Sequence, residues 1–135
     1  MNQVYPDDGL VMQLVRILTA GIKVHLFVNN ATISRATTLG DLTEATHTGY
    51  AAITLDNTDF TTTGVVSNTG YAIAPPISFA NSSGGDVSAY GYYITDTAGT
   101  KLLAAAKFDG APLVRGDGES WLVTPAWGDF SGLAA

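Results

Sequence analysis

The chain has 135 residues, is 46% hydrophobic and only 13% charged, contains no cysteine, and carries 6 basic against 12 acidic side chains for a net charge of −6. That apolar content excludes a disordered chain, which lacks the burial to offset its ordering entropy, and the length fits one domain with a continuous core. The missing thiols exclude disulfides, thiolate zinc sites and cysteine nucleophiles, and the acidic excess repels a polyanion, so no nucleic-acid partner is expected.

Met1 to Asp8 shows neither the basic stretch nor the apolar run of a signal peptide. No apolar run approaches the ~18 residues of a membrane span, so the reading is a soluble chain made in the cytosol, with no membrane partner. Residues 9–20 are expected to form the one α-helix. Leu10, Val11, Leu14, Ile17 and Leu18 recur at helical spacing, Asp7 and Asp8 stand where they can cap it, and Gly21 can close it in a left-handed conformation.

From Lys23 the period changes to two. Val24, Leu26 and Val28 alternate with His25 and Phe27, and Asn29-Asn30 ends the strand. Leu39 to Glu44 reads as one helical turn. A strand follows over Tyr50–Leu55, with Ala51, Ile53 and Leu55 on one face, and Asp56 to Asp59 breaks it. Val65-Val66 marks a short strand. Pro75-Pro76 imposes a bend between two more, because proline cannot donate to a ladder. Val87–Thr95 reads as one long strand that turns at Asp96–Thr100 and returns over Lys101–Phe108. In that hairpin Tyr90 and Tyr92 share a face, as do Leu102, Ala104, Ala106 and Phe108. Arg115–Glu119 is a tight turn into Trp121–Thr124, which Pro125 ends or kinks. About seven or eight short strands with one helix make the expected fold mainly β: a single-domain antiparallel β-sandwich over 1–135.

Chemistry is weakly signalled. The candidate bases are His25, between apolar strand residues and expected to be buried and hydrogen-bonded, and His47, between threonines and expected to be exposed. No Gly-x-Ser-x-Gly elbow surrounds a serine. Most aspartates occupy turns, where Asp bonds its own backbone; Asp56 and Asp59 are the one pair that invites calcium. Arg115-Gly116-Asp117 matches a receptor-recognition tripeptide, but its residues also suit a turn. Asn30-Ala-Thr32 and Asn81-Ser-Ser83 fit the glycosylation sequon. No catalytic residue, metal ligand or cofactor is therefore assigned, and the chain is read as a non-enzyme. The aromatics are the stronger signal for contact. Tyr5, Tyr90, Tyr92, Trp127 and Phe130 are the expected interface residues, since Tyr and Trp supply large area at small entropic cost.

The order of segments carries a resemblance. Val4-Tyr5-Pro6-Asp7-Asp8-Gly9-Leu10 precedes the helix, and Leu26-Phe27-Val28-Asn29-Asn30 ends the first strand. Asp41-Leu42-Thr43-Glu44-Ala45, Gly49-Tyr50-Ala51, Tyr90 to Asp96 and Leu102 to Ala106 then follow in turn. This order resembles small structural proteins of tailed bacteriophages, most closely capsid decoration or cement proteins, over nearly the whole chain. The resemblance implies a virion component without catalysis or cofactor. Its partners would be the major capsid protein or other virion proteins, with closed homo-oligomeric clustering. The alternative is a tail or fibre component that binds a host-surface glycan or receptor; a small hydrolase using His25 or His47 is the third.

Overall fold

The computed structural model describes residues 12, 15–66 and 69–128. It is mainly β, with eleven antiparallel strands in four small sheets among the described residues. Residues 15–19 are helical and end where expected: Gly21 takes φ +86° and donates its N–H to Leu18. Of the predicted apolar stripe, Leu10, Val11 and Leu14 lie outside the described residues. The remaining two divide. Leu18 is buried in the core, while Ile17 is 44% exposed, because adjacent helical positions point about 100° apart and only one can meet the sheet.

The central sheet has the order β2-β1-β7-β8, from β1 (Ile22–Phe27), β2 (Ile53–Leu55), β7 (Gly91–Asp96) and β8 (Leu102–Lys107). β1 is buried along nearly its whole length because both faces of this sheet are covered. Ile22, Val24 and Leu26 enter the main core with Ile94, whereas Phe27 packs with Tyr93, Leu42 and Ala31 under the 31–42 segment. Each such fully buried aliphatic or Phe side chain contributes about 1.5–3 kcal/mol. The predicted helical turn is there as a 3-10 turn, Leu39–Asp41. Asp41 closes it by accepting the Thr38 backbone N–H.

Two proline-marked breaks pass strands from one sheet to another. β4 (Thr69–Ile73) lies between β3 (Thr62–Val66) and β11 (Ala126–Gly128), while β5 (Ile77–Ala80) pairs with β10 (Ser120–Val123). Pro75-Pro76 separates β4 from β5, and Pro125 separates β10 from β11. The two bends face each other, with Ala74 donating its N–H to the Pro125 carbonyl. β6 (Val87–Ala89) pairs with β9 (Leu113–Arg115) in the fourth sheet.

Three expectations need correction. The strand over 50–55 is confined to Ile53–Leu55, and Ala51 is exposed. The long strand over 87–95 is two strands, broken at Tyr90, whose N–H goes to the Phe27 carbonyl and whose carbonyl accepts from Phe108. The break resets the alternation, so Tyr90 packs with Tyr93 on the second cluster while Tyr92 packs on the main core. On β8 an extra residue shifts the register: Ile94 pairs with Ala104 but Thr95 with Leu102, leaving Leu103 as the inserted position. Leu102 is thereby turned away from Ala104 and Phe108 and packs on the second cluster. All four sheets contribute to the main core through residues such as Val24, Ala72, Phe79, Ala89 and Trp121.

Candidate functional site

Among the described residues, a constellation of polar side chains that crosses the fold is centred on His25. His25 is 6% exposed. Its Nδ1 lies 2.7 Å from Glu44 Oε1 and its Nε2 2.9 Å from Thr95 Oγ1. Glu44 is carried there by the segment after the 3-10 turn, which continues the ladder past the end of β1: Val28 donates to Thr43, Ala45 donates to Leu26, and Phe27 bridges Glu44. Tyr50 completes the group. Its hydroxyl donates to Glu44 Oε1 at 2.8 Å and accepts the Leu26 N–H at 3.2 Å. Burial alone would raise the Glu44 pKa, but the bonds from His25 and Tyr50 outweigh it and hold the carboxyl below its ordinary range. Burial, then the bond to Glu44, pushes the Tyr50 phenol far up; burial and the Glu44 charge push Tyr93 up to about 12.

Hydroxyl, imidazole and carboxylate in series have the connectivity of a nucleophile, a base and an orienting acid. The surroundings deny the chemistry. Thr95 is 1% exposed, and its hydroxyl also reaches the Asp96 carbonyl at 2.8 Å, so no substrate atom can approach it. The group works as a structural clamp. It ties β1, β7 and the 43–50 segment together, and it gives His25 the buried, bonded role that its neighbours in sequence implied.

His47 departs from expectation. It is half-buried, with Nε2 donating to the Ala80 carbonyl at 3.0 Å and the ring tilted against Trp121 and Tyr50 at 5.3 and 5.6 Å. The cause is local: Ser82 donates its N–H to Thr48 and draws the 47–50 turn over the aromatic core. Between His47 and His25 stands Tyr50, but the two rings share no partner.

The turn carboxylates serve their own loops. Asp56 accepts from the Thr58 N–H and hydroxyl, and Asp59 accepts from the Asp56 N–H. Those bonds, from Thr58 foremost, hold the Asp56 carboxyl low, as Thr100 does for Asp96. Among the described residues no three His, Cys, Asp or Glu side chains group as metal ligands. The Arg115-Gly116-Asp117 triplet is a turn pinned at both ends. Arg115 Nε donates to the Ser120 carbonyl, and Asp117 Oδ1 accepts the Gly84 N–H. Asn81 is missed by sequence reasoning, which saw only a sequon. It is 1% exposed, and its Nδ2 donates to the Gly85 and Arg115 carbonyls at 2.8 Å each, locking the two loops together.

The expected interface aromatics do not form one patch among the described residues. Tyr5 and Phe130 lie outside them, and for Trp127 the described feature is its strand pairing with Ala72. Tyr90 is half-buried against the second cluster, with the Lys107 ammonium 5.8 Å from its ring centroid. Tyr92 is half-buried on the main core beside Phe108, and burial raises its pKa.

The apolar surface lies elsewhere. Leu122 on β10 is 72% exposed and Val114 on β9 is 48% exposed. In the β5–β10 pair, Trp121 and Phe79 point inward together, which turns Leu122 and Ser78, and Ser120 and Ala80, outward. This outer face carries no charge. No family model, curated protein or solved structure matches the chain. The Trp121-Leu122-Val123 alternation held the signal for Leu122, since a strand with Trp inward must put the next residue outward. Among the described residues no helix is long and apolar enough to cross a membrane.

Proposed function

We propose that the chain is a structural protein of a phage virion, a capsid decoration or cement protein that binds the major capsid protein and stiffens the shell. In this reading the four sheets close into one β-sandwich module, and the copies cluster on the particle.

The uncharged outer face of β5 and β10, centred on the exposed Leu122, is the observation that supports it most. In a chain of net charge −6, a strand face made of Ser78, Ala80, Ser120 and Leu122 costs little to desolvate. Two of the buried polar side chains are used internally: His25 with Glu44 and Thr95, Asn81 with two loop carbonyls. The order of sequence segments, which resembles that of phage structural proteins, points the same way. A modest contact of this kind gains strength when repeated over a shell, because multivalent attachment raises avidity without new chemistry.

The test is co-sedimentation of the purified chain with capsids that lack it. Saturable binding, weakened by Leu122→Asp in a variant of unchanged thermal midpoint, supports the reading. Binding to host cells or glycans, with none to capsids, replaces it with a tail or fibre role.

A further inference from the structure

The central sheet has an even number of strands, β2-β1-β7-β8, and every neighbour is antiparallel. Its two edges therefore run in opposite directions. A second copy displaced along the hydrogen-bonding direction sets its β2 antiparallel to the first copy's β8, with no turn in the sheet plane. An odd strand count would have made that meeting parallel. Among the described residues β2 pairs only with β1, and β8 only with β7.

The register fixes which ends meet. Lys23 pairs with Thr54 on one side and Thr95 on the other, and Thr95 pairs with Leu102, so these four residues lie in one row across the sheet. Just beyond that row, β2 runs into Asp56 and Asp59, and β8 is preceded by Lys101; all three are exposed. Arg35, also exposed, borders the β8 edge in a groove shared with Ile33, Leu102 and Leu103. Among the described residues neither Arg35 nor Lys101 is held in an ion pair. One end of the sheet thus carries opposite charge on its two edges.

We propose that copies of this chain join head to tail, β8 of one against β2 of the next, with Arg35 and Lys101 facing Asp56 and Asp59. Such a contact is heterologous, so it closes into a ring or runs on as a filament according to the rotation per step. The basic side chains at the β8 edge disfavour a neutral or basic strand there, which leaves the acidic β2 edge as the partner matched in charge. The junction covers Leu103, which is 38% exposed in the single chain. The inference rests on the adhesive reading above and names the surface between copies, separate from the face offered to the shell.

The test is sedimentation velocity of the full chain against concentration, at low and high salt. The expected result is self-association that weakens as salt rises. Reversing charge on one edge (R35E with K101E) or adding positive charge to the other (T54K) should each weaken association about tenfold or more. Both changes are at exposed positions, and far-ultraviolet circular dichroism checks that each variant folds. Mixing the two variants should restore one junction and so yield a two-chain complex, because each keeps the edge the other lacks. A chain that stays monomeric at every concentration, or variants that do not rescue each other, overturns the junction. A monomer that still coats capsids removes this inference and leaves the shell-binding reading. A self-associating chain that ignores capsids does the reverse.

Discussion

The imidazole of His25 lies flat on the ring of Tyr93, with centroids 4.6 Å apart and planes 9° from parallel. Neighbouring positions on paired strands, β1 and β7, bring the rings together, since His25 and Tyr93 are direct partners in the register. The stack fixes the plane of the imidazole, and that plane aims its nitrogens at Glu44 and Thr95. Replacing His25 by Ala removes the stack and leaves Thr95 buried beside an empty space, at an expected cost of about 2–3 kcal/mol. Denaturant unfolding measures it. A loss under about 0.5 kcal/mol, the range of an ordinary surface change, would show that the group is not a clamp.

Tyr50→Phe isolates one arm of the same network. The phenol satisfies the Leu26 N–H as well as Glu44, so its removal leaves a partly buried donor unpaired. The expected loss is about 1–2 kcal/mol. Hydrogen exchange should show faster opening at Leu26, with the far β5–β10 pair unchanged.

The pH dependence has a definite sign. The Glu44 carboxyl is held below its unfolded value, so its contribution is present above the ordinary carboxylate range and is lost as pH falls through the folded pKa. Asp56 and Asp96 act in the same sense. Stability should therefore decline on acidification below about pH 4, and Glu44→Gln should be less steep there than the parent. Identical acid limbs in the two proteins would contradict the assignment.

Asn81 predicts a second local weakness. Asn81→Ala strips partners from two carbonyls, and Asn81→Asp sets a carboxylate against them. The expected losses are about 2–3 kcal/mol for Ala and more for Asp. The buried amide also means that Asn81 cannot accept a glycan in the folded chain.

How much was legible in the sequence differs from element to element. The Gly21 cap, the turn at Asp96–Thr100 and the bend at Pro75-Pro76 are local, and local residue chemistry announces them. His25 as a bonded core histidine was likewise readable from its apolar neighbours. Its partners were not: Glu44 is 19 positions away and Thr95 is 70 away, joined to it only by strand pairing. The break at Tyr90 and the inserted Leu103 escaped for a related reason. Each keeps the composition of a strand while shifting its register, so simple alternation carries the wrong face onward, as it did for Tyr90 with Tyr92 and for Leu102 with Ala104. At Gly91 the reason for the break becomes visible. An added methyl would overlap the Ala106 carbonyl and the Phe27 ring, so the strand can start there only with glycine.

The proposed role is adhesive: this β-rich chain would cover a shell, through a face that includes Leu122. The most direct measurement is an image reconstruction of the purified particle with this chain located and its copies counted. The expected result is density over the capsid lattice at a fixed ratio to the shell subunit, with the β5–β10 face against the shell. Density confined to the tail, or particles that lack the chain altogether, would contradict it.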